Sequence, residues 1–151
     1  MAGAHLKFVA GGCVASDPET SLAERLLAIH AGLADVTSEI QPHEVAVEET
    51  VVNRNPATSL KLGHARGVVI LSAGLAKLPV FEYSAKRVKQ AVTGTGNATK
   101  EQVSAMVQRL LPSSNLSNAD ANDALAVAIC HAGSRQYQSK LQYALKDQIR
   151  P

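Results

Sequence analysis

The hydrophobic positions along this chain follow two spacings, and each spacing predicts a different kind of element. Between residues 21 and 40 they recur every three or four residues, which is typical of a helix with one apolar face. These positions are Leu22, Leu26, Ile29, Leu33, Val36 and Ile40. Ser21 and Glu24 have the spacing of a capping box, so we predict that the helix begins at Ser21.

Short apolar runs between polar segments predict strands. The first run is Leu6 to Val14, where Gly11 and Gly12 indicate a bulge or a close backbone approach. The second is Val45 to Val47, and the third is Pro79 to Tyr83. Because helices are predicted between these strands, the order favours parallel pairing in a sheet of an α/β fold.

Local signals predict four further helices. Asn55 and Pro56 are a typical cap and first residue, and this helix runs to about Lys77. The other three begin at Ser84, at Thr99 with Gln102 completing a capping box and Pro112 ending the helix, and near Ser117. The polar segment from residue 134 onwards is either a frayed tail or a peripheral helix. We therefore predict one domain over residues 1–135 and a polar C-terminal tail over 136–151.

Small residues recur in the helix that begins after Asn55. Leu60, Gly63, Gly67, Ile70 and Ala73 are predicted to lie near one another. A glycine inside a helix costs about 1 kcal/mol relative to alanine, so a packing reason is expected. We expect another backbone to approach here closely, either from the sheet or from a second subunit.

Composition limits the function classes. A chain of 151 residues is long enough for one stable core, and aromatic residues make up only 3% of it, so base stacking is not its main binding device. Cys13 and Cys130 fit no metal or redox spacing, which predicts reduced, structural thiols in a cytoplasmic protein. No signal peptide is expected, because the apolar run from Phe8 to Ala15 is short and broken by Gly11 and Gly12. No membrane span is expected either, because the run from Gly67 to Ala76 is shorter than about 18 residues.

The charge is distributed unevenly. Residues 1–53 carry two basic and eight acidic side chains, a net charge of −6, whereas residues 54–109 carry nine basic and two acidic ones, a net charge of +7. A basic middle third beside acidic positions predicts a polyanion held near a metal site. Solvated helix faces are the alternative explanation.

Three carboxylates occur where a site would be expected. Glu48 ends the Val45 strand, and ligand crevices form at strand ends in open α/β sheets. Asp120 and Asp123 lie three apart at the start of a helix and therefore share a face, where two bare carboxylates repel by roughly 3 kcal/mol. A divalent cation would offset that repulsion, although water could also screen two exposed carboxylates. Hard oxygen ligands suit Mg²⁺ or Mn²⁺.

Other candidate motifs are weaker. The segment 93–100 is rich in glycine and threonine but lacks the ending of a nucleotide-binding P-loop, so we exclude nucleotide hydrolysis. Its backbone amides and Lys100 could still contact a phosphodiester. His30 is predicted to be a helix-surface residue, and His64 a structural or phosphate-facing one.

Three runs of this sequence resemble one known family. VAVEETVVNRNPATSLKLGHARG, LPVFEYSAKRVKQAVTGTGNATKEQV and ADANDALAVAICHA are similar, in order and spacing, to the RuvC-type crossover junction endodeoxyribonucleases, the bacterial Holliday-junction resolvases. The resemblance covers about residues 5–135. Three long runs in order are far more specific than any short motif.

The resemblance implies a ribonuclease H-like mixed sheet flanked by helices. It also implies a homodimer that makes paired nicks across four-way DNA junctions with Mg²⁺, about two ions per site, alongside a branch-migration helicase complex. Carried over by position, Glu48, Asp120 and Asp123 take the metal-binding catalytic roles. Basic residues take the DNA-facing roles, and with the charge pattern we expect these to be Arg54, Lys86, Lys89 and Lys100.

The sequence departs from the family in two places. Family members begin with a strand that carries a catalytic Asp in a Gly-x-Asp-Pro-Gly setting, and that strand would align upstream of Met1, which predicts a shortened start. Val51 stands where the family has an aromatic residue near the crossover. Stacking on a base there contributes about 1–3 kcal/mol, most of which a valine would forgo.

Two other functions remain open at this point. One is a non-catalytic junction-binding protein with an incomplete metal site, which would bind a junction without nicking it. The other is a metal-dependent phosphatase for small molecules, whose turnover should depend far less on salt than junction binding does.

Overall fold

A computed structural model of the chain describes residues 6–49 and 55–148. The described residues form five helices and two strands: α1 (Leu22–Ile40), β1 (Val45–Glu48), α2 (Pro56–Leu75), β2 (Val80–Tyr83), α3 (Ala85–Thr93), α4 (Lys100–Leu110) and α5 (Ala119–Gln148). They divide into two compact units. The sheet unit contains residues 10–49 and 55–84, and the helical unit contains residues 6–9 and 85–148.

The two strands of the sheet unit pair in parallel, as the sequence predicts. Val45 lies opposite Val80 and Glu48 lies opposite Tyr83. Backbone hydrogen bonds extend the pairing at both ends, from Val45 N–H to the Pro79 carbonyl at 2.8 Å and from Glu49 N–H to the Tyr83 carbonyl at 2.9 Å. The α/β class is thus confirmed.

The strand predicted from Leu6 to Val14 is wrong, because those residues have no regular secondary structure. An apolar run forms a strand only where another strand pairs with it, and β1 and β2 pair with each other. Val9 is 72% exposed. Val14 packs on α1 instead, where a Cβ added at Gly32 would lie 2.5 Å from a Val14 methyl carbon. Gly32 therefore permits this close approach.

Local capping signals fix the helix starts where the sequence predicts them. Ser21 and Glu24 form the capping box of α1, and Thr99 and Gln102 form that of α4. Asn55 caps α2 by accepting from two backbone N–H groups, and Pro56 is the first helical residue. These starts are confirmed because each depends on side chains within three residues.

His30 links the two helices of the sheet unit. Its Nδ1 lies 2.8 Å from the Ser72 hydroxyl oxygen, and that hydroxyl also lies 2.7 Å from the Val68 carbonyl. Since the carbonyl can only accept, Ser72 donates to it and accepts from Nδ1–H of His30. His30 is therefore half-buried and structural rather than a ligand.

The predicted small-residue face of α2 needs correction. Leu60, Gly63 and Gly67 are exposed together, and the space beside Gly63 and Gly67 is open. Ala73, by contrast, is 5% exposed and lies on the buried side of the helix. The exposed face continues instead through Leu71 and Gly74.

The helical unit is built around a small aliphatic core. Most of its buried residues come from α3, α4 and α5, and these include Val88, Val92, Val103, Val107, Ala126, Val127, Ile129 and Cys130. Burial raises the pKa of the Cys130 thiol, consistent with a structural role. Cys13 is exposed, so the predicted structural role of this second thiol has no support from burial.

Helix α5 continues without a break to Gln148. Of the two alternatives for the polar C-terminal segment, the helix is therefore the one observed. The boundary between a domain at 1–135 and a tail at 136–151 stays a prediction. Across residues 6–49 and 55–148, no helix combines the length and apolar character needed to cross a bilayer.

Candidate functional site

Glu48 is the last residue of β1 and is exposed. It lies at the carboxyl end of a parallel strand, opposite the buried Tyr83 of β2. The carboxyl ends of parallel strands are where crevices form in α/β sheets, so this carboxylate has the position that the sequence predicts.

A neighbouring carboxylate of the sheet unit is paired within the fold. Arg66 of α2 forms an ion pair with Glu82 of β2, which ties the helix to the sheet. Arg66 is only 28% exposed, and its Nε atom is buried without a hydrogen-bond partner. One of the basic residues in the net charge of +7 is therefore a structural cation, which charge counting alone did not reveal.

In the helical unit, Asp123 follows the first turn of α5, and Asp120 lies within that turn. Asn118 caps this turn: its Oδ1 accepts from Asp120 N–H at 2.8 Å and from Ala121 N–H at 3.2 Å. The sequence predictions did not include this cap, although an Asn just before a helix is a recognised signal. The cap fixes the backbone from which both carboxylates project.

A cation lies beside one of these carboxylates. Nζ of Lys100, the first residue of α4, is 3.5 Å from Oδ2 of Asp123. The two side chains are 81% and 44% exposed, so solvent screens the pair and its contribution to stability is small. Its importance is positional, because it holds a predicted DNA-facing lysine next to a predicted metal ligand.

The polar side of the α5 start is completed by Asn122, which the sequence analysis did not select. Asn122 is 6% exposed and its Nδ2 donates to the Ser104 hydroxyl of α4 at 2.7 Å. A polar residue next to two acidic ones was a visible signal, but its burial was not.

The predicted DNA-facing lysines of α3 lie beside a loop over residues 94–99. A Cβ added at Gly96 would be 2.8 Å from Lys86 Cγ, so the loop packs against the stem of an otherwise exposed lysine. The Thr93 hydroxyl donates to the Lys89 carbonyl at 2.9 Å. Arg87 is directed to α5 by a 3.2 Å hydrogen bond to the Ser134 hydroxyl.

Two of the predicted residues cannot be placed. Arg54, a predicted DNA-binding residue, and Val51, the position of the family aromatic, lie outside the described residues.

The structure thus brings Asp120, Asp123 and Lys100 together in the helical unit and places Glu48 at the strand end of the sheet unit. Within either unit, the described residues gather no group of three or more His, Cys, Asp or Glu side chains that could hold a metal ion. Convergence of Glu48 with the two aspartates stays a prediction. The chemistry of the three donors fits a hard divalent cation, because all are carboxylates.

Comparisons with known proteins point to one family. A sequence model of the crossover junction endodeoxyribonuclease RuvC matches residues 1–131. The chain is 54% identical over 141 residues to the protein of that name from Paramagnetospirillum magneticum, covering 93% of this chain and 85% of the relative. It is 53% identical over 133 residues to the one from Gluconobacter oxydans, covering 88% and 79%.

Solved structures give the same result. A structure of T. thermophilus RuvC in complex with Holliday junction substrate matches with a TM-score of 0.80 and 36% identity, over 86% of this chain and 80% of that one. A second Thermus thermophilus RuvC structure matches with a TM-score of 0.78 and 35% identity, over 86% and 79%. These matches confirm the predicted ribonuclease H-like fold.

Proposed function

The chain belongs to the RuvC family of crossover junction endodeoxyribonucleases, and on that premise we propose that Glu48, Asp120 and Asp123 form its metal-binding catalytic set. Family membership makes it a metal-dependent nuclease that resolves four-way DNA junctions in recombination and repair. The observation that carries the proposed site is the α5 start, where Asn118 caps the turn that carries Asp120 and where the Lys100 ammonium pairs with Asp123.

Glu48, Asp120 and Asp123 would hold Mg²⁺, or Mn²⁺, and two ions per site are expected. When bound, the metal supplies a water activated for attack on phosphorus and positive charge for the leaving oxygen. The chain's own residues orient the substrate around that set. Asp123 and Lys100 lie side by side, so the lysine ammonium faces the phosphodiester that the carboxylates would position.

Junction DNA is bound through its phosphates. Lys86, Lys89, Lys100 and Arg54 are the proposed contacts, since they belong to the segment with a net charge of +7. Phosphate contacts of this kind release counterions, so the affinity should fall steeply with salt. Because aromatic residues are few, backbone and shape recognition outweigh stacking.

The active form is a homodimer that uses the exposed face of α2. Leu60, Gly63, Gly67, Leu71 and Gly74 lie on this face, and the three glycines have open space beside them. Leu60 and Leu71 are 63% and 59% exposed, so they give this face apolar surface that a partner could cover. A second copy of α2 could approach closely there.

Symmetric nicking requires two active sites, which a dimer supplies. Such a dimer would work in the cytoplasm with a branch-migration helicase complex.

Nicking of a synthetic four-way junction tests the proposal. With Mg²⁺ the protein should make paired nicks in the junction and leave a linear duplex of the same sequence intact. With Ca²⁺ it should bind without nicking. Junction binding without nicks in Mg²⁺ or Mn²⁺ would support the non-catalytic alternative. Hydrolysis of a small phosphate ester at a rate independent of salt would instead support the phosphatase.

A further inference from the structure

Asn122 stands between the two aspartates of α5 in sequence but faces the opposite way. Successive residues of a helix are rotated by about 100°, so a residue between two that share an exposed face is turned towards the interior. Asp120 is exposed and Asp123 is half-exposed, whereas Asn122 is 6% exposed. Its amide is thus the polar group of the first turn that meets α4.

The contact of Asn122 on α4 is well defined. Its Nδ2 donates to the Ser104 hydroxyl at 2.7 Å, a short hydrogen bond. Ser104 is four residues after Lys100 and therefore lies one turn further along the same face of α4. Lys100 contacts Asp123, and Ser104 contacts Asn122. Two adjacent residues of α5 therefore each contact a residue of α4, and those two residues lie on adjacent turns of α4.

The hydrogen bond between Asn122 and Ser104 fixes the register of the two helices in a way that apolar packing would not. A hydrogen bond restricts both distance and angle, whereas apolar surfaces tolerate sliding and repacking. The neighbouring buried residue, Ala121, has too small a side chain to lock the turn by shape.

The amide is also incompletely satisfied, since Oδ1 of Asn122 is buried without a hydrogen-bond partner. Such groups are rare in folded proteins because they lose solvation without compensation. An apolar residue would avoid that loss, so the position favours a role other than stability. Departures from local packing rules of this kind concentrate at functional sites.

We propose that Asn122 is a positioning residue: through Ser104 it fixes the first turn of α5 against α4, and so sets the separation between the carboxylates of Asp120 and Asp123 and the ammonium of Lys100. Its consequence is divalent-metal affinity, because a first turn that is held in place keeps both carboxylates of α5 oriented towards one small hard cation. The inference rests on the proposed function, which assigns the metal to these carboxylates.

Metal binding by the full-length chain tests the inference without depending on nicking. Mn²⁺ is titrated by calorimetry into the wild type and into Asn122→Ala, Ser104→Ala and the double variant. Each single change should weaken Mn²⁺ binding by about tenfold, as removal of groups that orient metal ligands commonly does. The double variant should bind Mn²⁺ no more weakly than the single variant with the lower affinity, because all three variants lack the same hydrogen bond. Ser104→Ala removes only a hydroxyl, so it keeps the test available if Asn122→Ala does not fold.

A matched control separates positioning from general stability. Val107→Ala removes core volume from α4 at a residue with 0% exposure, one turn beyond Ser104, without removing the hydrogen bond. It should lower the thermal unfolding temperature at least as much as Asn122→Ala, yet leave Mn²⁺ affinity unchanged. Equal weakening by Val107→Ala, additive effects in the double variant, or wild-type affinity in both single variants would each overturn the inference.

Failure of the proposed function gives a different result. If the wild type binds Mn²⁺ with the expected pattern among variants but never nicks a junction, the nuclease mechanism fails and the positioning role stands. If the wild type nicks junctions while the variants retain wild-type Mn²⁺ affinity, the positioning role fails and the nuclease stands. If the wild type shows no Mn²⁺ binding, the inference is overturned.

Discussion

The Lys100 ammonium lies 3.5 Å from an Asp123 carboxylate oxygen, although the two residues belong to different helices and are far apart in sequence. In the free protein this lysine offsets part of the repulsion between Asp123 and Asp120. When DNA is bound, the same ammonium can also face a phosphodiester, because a lysine has three donors on a flexible stem. In the proposed site, Lys100 would thus link charge balance in the free protein to substrate contact.

Replacing Lys100 tests its role in catalysis. Lys100→Ala should reduce single-turnover nicking of a four-way junction by about a hundredfold, the loss typical when one electrostatic donor to a transition state is removed. Lys100→Arg should retain more activity because it keeps the charge. The free energy of unfolding should change by less than about 1 kcal/mol, since the pair is exposed.

Lys140→Ala is the matched control for loss of one positive charge. Lys140 lies in the C-terminal half of α5 and is exposed. This variant should nick at nearly the wild-type rate. Equal losses of nicking in Lys100→Ala and Lys140→Ala would show that only net charge matters.

Neutralising the aspartates should slow nicking strongly while preserving junction binding. Asp120→Asn and Asp123→Asn each remove the charge of a proposed metal ligand, and a loss of several kcal/mol in transition-state stabilisation corresponds to a reduction of about a hundredfold or more. Junction affinity measured in Ca²⁺ should be retained. A variant that nicks at the wild-type rate would remove that residue from the catalytic set.

Asn118→Ala is the control for the helix start. It should lower the free energy of unfolding by about 1 kcal/mol and slow nicking less than either Asp→Asn variant does.

The elements that the sequence predicted correctly depend on near neighbours in the chain. The capping boxes at Ser21 and Thr99 involve groups three residues apart, so residue order is sufficient to specify them. Leu6 to Val14 shows the opposite case, because its pattern fits a strand but pairing depends on a partner elsewhere. Parallel pairing of β1 with β2 was predictable from the alternation of elements rather than from either strand alone.

In the candidate site, too, features set by nearby residues in the sequence were predictable, and features set by the packing of distant residues were not. The acids and lysines were identifiable because they match the family runs, and Asp120 and Asp123 share a helix turn. The contact between Asn122 and Ser104 was not predictable, because it depends on the relative rotation of α4 and α5. The Arg66 ion pair with Glu82 is similar: both residues are surface-like by composition, and only the packing of α2 on the sheet reveals their partnership.

The capping box of α1 predicts a pH dependence of stability. Hydrogen bonds from the Ser21 side chain and backbone lower the pKa of Glu24 below its ordinary value of 4.5. A carboxyl with a lowered folded-state pKa contributes stability that is fully present above its ordinary value and is lost as the pH falls through the folded value. In Ser21→Ala, the Glu24 pKa measured by NMR titration should rise towards 4.5, and this part of the acid dependence should diminish. An unchanged Glu24 pKa would contradict the prediction.

The exposed face of α2 predicts that a larger side chain at Gly67 changes the oligomeric state. An added Cβ at Gly67 meets no atom within 4 Å, so Gly67→Leu should leave the single chain folded and should improve helix propensity. In a dimer built on this face, the same leucine would hold the two helices apart. Sedimentation equilibrium should therefore show a weaker dimer for Gly67→Leu and little change for Lys77→Ala, beyond the end of the helix. A dimer of unchanged affinity in Gly67→Leu would exclude this face as the interface.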